Sequence, residues 1–151
     1  EISLGLVGSE MCIRDRGWAL LVLAAPGRIK TVGSSAVSTF VDGDDSQDKR
    51  RSAFLVAGLA ALGRIDDGDA RSFSGQLGLG LDSSSRFLTA LDRAAGNGDA
   101  ASVALLAGLG MQGSDWHRMT PRYLYHIVSA LRSVGLDAEA RMIAAEAVAR
   151  A

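Results

Sequence analysis

Thr120–Val148, TPRYLYHIVSALRSVGLDAEARMIAAEAV, is the stretch from which the rest of the chain is best read. Thr120 followed by Pro121 marks a helix start: the hydroxyl can accept from a first-turn N–H, and proline has no amide hydrogen to orphan at the first helical position. Leu124, Ile127, Val128, Leu131 and Val134 then recur at the spacing of one helical face. Gly135 stops the helix, because glycine takes a positive φ without a Cβ penalty. Asp137 follows as the expected cap of a return helix whose inner face is Ala140, Ile143, Ala144, Ala147 and Val148. Those side chains are small enough for two backbones to come close. Glu146 and Arg150 make an i,i+4 pair in the favourable order on the wet side. On the first helix His126 falls opposite the Leu124/Leu131 face, beside Arg122 and Ser133, and is expected in solvent.

The unit recurs upstream. Ser46–Leu62 starts polar and runs into AFLVAGLAAL, apolar all round, which predicts a helix buried between neighbours with Gly63 as its stop. Asp69–Gly80 is a weaker helix: Phe73 and Leu77 share a face, but three glycines lower its propensity. Ser83 is the expected cap of the next, with Phe87, Leu88, Leu91 and Ala95 inward, Arg86, Thr89 and Arg93 outward, and Gly96 as its end. Asp99 then caps DAASVALLAGL, which closes at Gly110. The pairs begin near Ser46, Ser83 and Pro121, 37 and then 38 residues apart, and Phe54 and Phe87 each stand nine residues before a helix-ending glycine. Helix pairs at such a period are the mark of α-solenoids. The expected fold is all-α, with antiparallel helical hairpins stacked as a short α-solenoid over residues 46–151.

With these residues in view, Ala130–Val148, ALRSVGLDAEARMIAAEAV, resembles a tetratricopeptide-like hairpin: a helix, a glycine turn, then an EAxxxAxxA helix. The helix-ending glycines Gly63, Gly96 and Gly135 are 33 and then 39 residues apart, and the Trp-Leu-Gly-Tyr positions of the repeat's first helix are absent. The resemblance therefore implies an architecture, and implies peptide or protein binding by analogy with it.

The N-terminal segment reads differently. Glu1–Arg16, EISLGLVGSEMCIRDR, has neither helical period nor strand alternation, and no charged n-region leading into an apolar core. Leu6–Arg16 resembles the conceptual translation of a transposase-type sequencing adapter, since CTC GTG GGC TCG GAG ATG TGT ATA AGA GAC spells Leu6 to Asp15. Residues 1–16 are accordingly expected to be a non-native, disordered segment. Residues 17–45 are expected to hold a helix remnant, Trp18–Ala25, with Trp18, Leu21, Val22 and Ala25 on one face, and then a connecting loop with a short turn from Ser34 carrying Val37, Phe40 and Val41. An apolar octet is too short for a bilayer, which needs about 20 apolar residues. Residues 46–151 would be the C-terminal part of a larger protein.

The chain has 16 basic and 17 acidic residues; without residues 1–16 the balance is 14 and 14. Neutrality leaves no electrostatic footprint for nucleic acid or an anionic membrane. Cys12 is the one cysteine and lies in the set-aside segment, so no disulfide framework or thiolate chemistry is expected, a trait that fits bacterial cytoplasm and periplasm alike. Arginine outnumbers lysine 12 to 2 beyond residue 16, as in a GC-rich bacterial genome.

Three constellations invite chemistry. Asp42, Asp44, Ser46 and Asp48 alternate like the first ligands of a calcium loop, but Gln47 and Ala53 stand where that loop needs Gly and Glu, so a solvated acidic linker capping a helix is expected. Gly96-Asn97-Gly98-Asp99-Ala100-Ala101 matches GxGxxA, yet follows a helix rather than a strand and reads as a turn. Asp115, His117 and His126 include an acid–base or ligand set, but the two histidines are nine residues apart across a helix start. Trp116 is expected to plug a gap between hairpins. No GxSxG, HExxH or P-loop occurs. No catalytic, cofactor-binding or metal residue is assigned, and no cofactor. The expected function is a non-catalytic, helical-repeat protein-interaction or structural module of a bacterial protein, its partner a protein or peptide. The alternative is a helical accessory domain of an enzyme whose catalytic part lies upstream; an envelope protein with Trp18–Ala25 as the end of an anchor is a third reading.

Overall fold

The structure, a computed structural model, describes residues 2–112 and 116–151, with the backbone alone for 2–9, 11, 12 and 117. Within these residues the chain is all-α. Its helices are α1 (Ile2–Ala24), α2 (Ser34–Gly43), α3 (Arg50–Ala61), α4 (Asp67–Leu77), α5 (Arg86–Gly96), α6 (Ala100–Gly110), α7 (Pro121–Ser133) and α8 (Asp137–Arg150). Gln47–Lys49 and Trp116–Arg118 are single 3₁₀ turns. Among the described residues the only extended pairing is a lone parallel bridge between Val32 and Ile65.

Helix α3 is the centre. Ser52–Leu59 is buried without interruption, because α1, α4, α7 and α8 all pack on it. Gly58 makes two of these contacts possible: a Cβ there would stand 3.0 Å from Leu23 Cδ2 of α1 and 3.3 Å from the Ala144 Cβ of α8. The hairpins α3–α4, α5–α6 and α7–α8 stack on one another, but in the spatial order α3–α4, α7–α8, α5–α6. Helix α7 meets α3 on one side and both α5 and α6 on another. The expected inner faces are largely correct: Leu124, Ile127, Val128 and Leu131 of α7, and Ala140, Ala144, Ala147 and Val148 of α8, are buried.

Several element ends differ from expectation. Ser85, not Ser83, caps α5, accepting from Leu88 N–H at 3.3 Å. Helix α4 starts two residues early, with Asp66 as its cap. Asp137 is the first residue of α8 rather than its cap; Leu136 precedes it and offers no side-chain acceptor. There the Asp137 charge still favours the positive end of the helix dipole. In the α5–α6 turn Gly98, not Gly96, takes the positive φ, while Asp99 caps α6 as expected. The connection after residue 33 contains a ten-residue helix, α2, that buries Val37, Phe40 and Val41.

Helix α1 also departs from its reading. Ala19 and Leu23 face the core, whereas Leu21 is 71 % exposed. The helix runs back to Ile2 through residues expected to be irregular. Once Ala19 and Leu23 anchor a nucleus against α8 and α3, each added residue costs little, and no proline interrupts the helix before Pro26.

Candidate functional site

Four places on the molecule bear on function. At the first, His126 is 9 % exposed rather than solvated. Its Nδ1 lies 3.1 Å from both carboxylate oxygens of Asp92 on α5, and its Nε2 lies 3.0 Å from the Leu81 carbonyl. The wet-side placement fails because α7 is packed on more than one side: the face opposite Leu124 and Leu131 is covered by α5 and by the segment before it. Both ring nitrogens are thus occupied in joining α5, the Leu81 loop and α7. Asp115 lies outside the described residues, as does the His117 side chain, so a set with His126 is not described. Trp116 is partly buried against the core, and its carbonyl accepts from Arg50 Nη2 at 2.5 Å.

The second is Asp44, in the loop read as a solvated acidic linker. Its side chain is 0 % exposed. One carboxylate oxygen accepts from Ser46 N–H at 2.9 Å and its hydroxyl at 2.6 Å; the other accepts from Ser52 N–H at 2.8 Å and its hydroxyl at 2.6 Å. Burial alone would raise its pKa, but the hydrogen bonds from Ser46 and Ser52 outweigh it and hold the carboxyl below the ordinary 3.8. Asp44 therefore caps the first turn of α3 from eight residues away and staples α2 to it. The loop pays in backbone conformation: Asp48 and Lys49 both have positive φ, at 53° and 51°. Among the described residues no three His, Cys, Asp or Glu side chains gather as metal ligands.

The third is a cluster of arginines where α1 and α3 end and α8 begins. Arg64 is buried and donates to the carbonyls of Val22, Leu23, Ala25 and Gly27 at 2.8, 3.0, 2.5 and 3.4 Å, closing the C-terminus of α1. Arg141 Nη1 donates to Ala24 O at 2.6 Å, and Arg132 Nη1 to Ala61 O at 3.4 Å. Gly63, at φ +64°, leaves room for Arg132, whose Nη1 would stand 2.7 Å from any Cβ there. Burial first, then the charges of Arg141 and Arg132, lower the Arg64 pKa. This cluster has no local signature in the sequence, because the accepting carbonyls lie 37 to 42 residues from Arg64.

The fourth is the outer side of α6. Val103 and Ala107 point into the stack. Ala101, Ala104, Leu105, Gly108 and Leu109 form one exposed stripe, with Leu105 76 % and Leu109 54 % exposed. A helix without a charged residue ordinarily lies between neighbours; α6 has them, in α5 and α7, on one side.

These features define an all-α protein of stacked helical hairpins. Comparison with protein-family models, with curated proteins and with solved structures gives no match. No helix of the described residues is long and apolar enough to cross a membrane.

Proposed function

We propose that the chain is a non-catalytic helical-repeat module of a bacterial protein, tetratricopeptide-like in build, that binds a protein partner through the outer stripe of α6. One observation carries the reading: α6 has no charged residue, yet exposes Leu105 and Leu109 beside Ala101, Ala104 and Gly108. The small residues would let a partner backbone come close, and the two leucines would supply the apolar area. At about 1.5 Å per residue α6 is about 16 Å long, which suits an amphipathic helix of similar length as the occupant. The inner helices α3 and α7 are already covered, so the open apolar face is the edge of the stack. In the same reading residues 1–16 are non-native and the helical-hairpin module is residues 46–151.

The test is a photo-reactive residue at position 104, introduced in bacterial cells. A discrete protein adduct that disappears on Leu105→Glu and Leu109→Glu supports the reading. Adducts no more abundant than those from an exposed position on α5, such as 89, would remove it.

A further inference from the structure

The arginine cluster is more than a set of helix caps. Arg28, Arg64, Arg132 and Arg141 line one cavity of about 550 Å³, walled also by Gly27, Ile29, Leu62 and Gly63, and the one carboxylate on its wall is Asp137. Four guanidiniums against one carboxylate leave three positive charges on a surface of a chain whose net charge is −1. Among the described residues none of these four arginines lies within 4.0 Å of a carboxylate, although Arg51 and Arg150 do find acidic partners. Capping does not use up the cluster. Arg141 and Arg132 each give one hydrogen bond to a carbonyl, and a guanidinium has five N–H donors. Arg28 gives none among the described residues, so its presence on the wall is not explained by capping.

The cavity's size falls in the range of small-molecule sites, about 300–1,000 Å³. The first turn of α8 starts at the wall, but Asp137 and Glu139 in that turn offset its dipole, so the positive charge of the cavity is that of the guanidiniums. Several planar guanidiniums lining one space suit an oxyanion that offers several acceptor oxygens and two negative charges. We propose that this cavity binds the phosphate group of a small phosphorylated molecule, with Arg28, Arg132 and Arg141 as its ligands and Arg64 as the buried charge that holds the floor in place. The site is separate from the α6 stripe and does not depend on it.

Calorimetry on the full chain at constant ionic strength tests the proposal, with inorganic phosphate and glycerol 3-phosphate as probes and chloride as the reference anion. Saturable binding of both is expected, the ester being the tighter. Arg28→Gln should weaken it about tenfold, the loss of roughly one charge-assisted hydrogen bond, while leaving the melting temperature of the unliganded protein unchanged. Arg132→Gln should weaken it similarly, and Arg150→Gln, remote from the cavity, should bind as the parent does. Phosphate acting no differently from chloride would overturn the site, as would an Arg28→Gln protein that binds like the parent. An ester weaker than inorganic phosphate would overturn the assignment to a phosphorylated molecule.

Discussion

From Ser52 to Ala61 helix α3 carries no charge, and from Ala100 to Gly110 neither does α6. The first is sealed by α1, α2, α4, α7 and α8; the second meets α5 and α7 and leaves Leu105 and Leu109 in water. An uncharged helix reveals how much cover it can use. It does not reveal where the cover comes from, because that depends on position in the stack. Helix α3 is flanked on all sides since α7–α8 slots in beside it, and α6 is left at the edge by the same arrangement. The comparison gives the exposed stripe its meaning: α6 is built like a core helix and placed like a surface one.

The largest expected effect separates the two helices directly. Phe54 is fully buried on α3, and Phe54→Ala should cost about 3–5 kcal/mol in urea melts, the range for emptying a core aromatic site. Leu105→Ala on α6 should change stability by no more than about 0.5 kcal/mol. Similar losses at both sites would mean that α6 is covered in solution as α3 is.

Next comes the polar anchor of α3. Asp44→Ala removes the acceptor for two N–H groups and two hydroxyls, and should cost about 2–4 kcal/mol through the donors left unsatisfied. The pH dependence has a definite sign. The folded-state pKa of Asp44 is lowered, so its contribution is complete above the ordinary value of 3.8 and is lost as pH falls through the lower folded value. Melts from pH 6 down to pH 3 should show a steeper acid loss in the parent than in Asp44→Asn. Equal slopes would show that another carboxylate carries the acid sensitivity.

Ala144→Leu probes how closely the centre is packed. Ala144 is fully buried, and its Cβ lies against Gly58. The added atoms should overpack the α3–α8 contact and cost about 1–3 kcal/mol. His126→Ala should cost about 1–2 kcal/mol: the Leu81 carbonyl loses a donor, while Asp92, about half exposed, regains water. A cost under 0.5 kcal/mol would return His126 to the solvent.

The features legible in the sequence were local ones. Thr120-Pro121, Asp99 and the glycines at 63 and 135 act within a few residues, and the structure has them as caps and stops. The apolar spacing of α7 and α8 likewise announces their inner faces. Three features were not legible, because each joins residues far apart in the chain. Asp44 reaches Ser52 across a loop, His126 reaches Asp92 across 34 residues, and Arg64 reaches carbonyls of α1. In all three a charged or polar side chain that pattern reading assigns to water instead meets backbone or side-chain groups brought in by packing. The α6 stripe was legible as composition and missed as a surface, since its exposure follows from the order in which the hairpins stack.

The smallest expected effect on stability is the one that bears most on function. Leu105 is 76 % exposed, so replacing it with glutamate removes little buried area and meets no neighbour that must move. Glutamate is also a good helix former, so the backbone of α6 should tolerate it. Leu105→Glu should therefore melt within about 0.5 kcal/mol of the parent. Its surface should differ more than its stability. A dye that fluoresces on exposed apolar patches should bind the parent and lose much of its signal on Leu105→Glu, and more on the double change with Leu109→Glu. The same pair of measurements on Met142→Glu supplies a reference, because Met142 is comparably exposed but stands alone on α8. If dye binding falls equally for both, the α6 stripe is no more than scattered surface leucine. If it falls only for α6 while the melts stay level, the uncovered side of α6 is a contiguous apolar face that folding does not need.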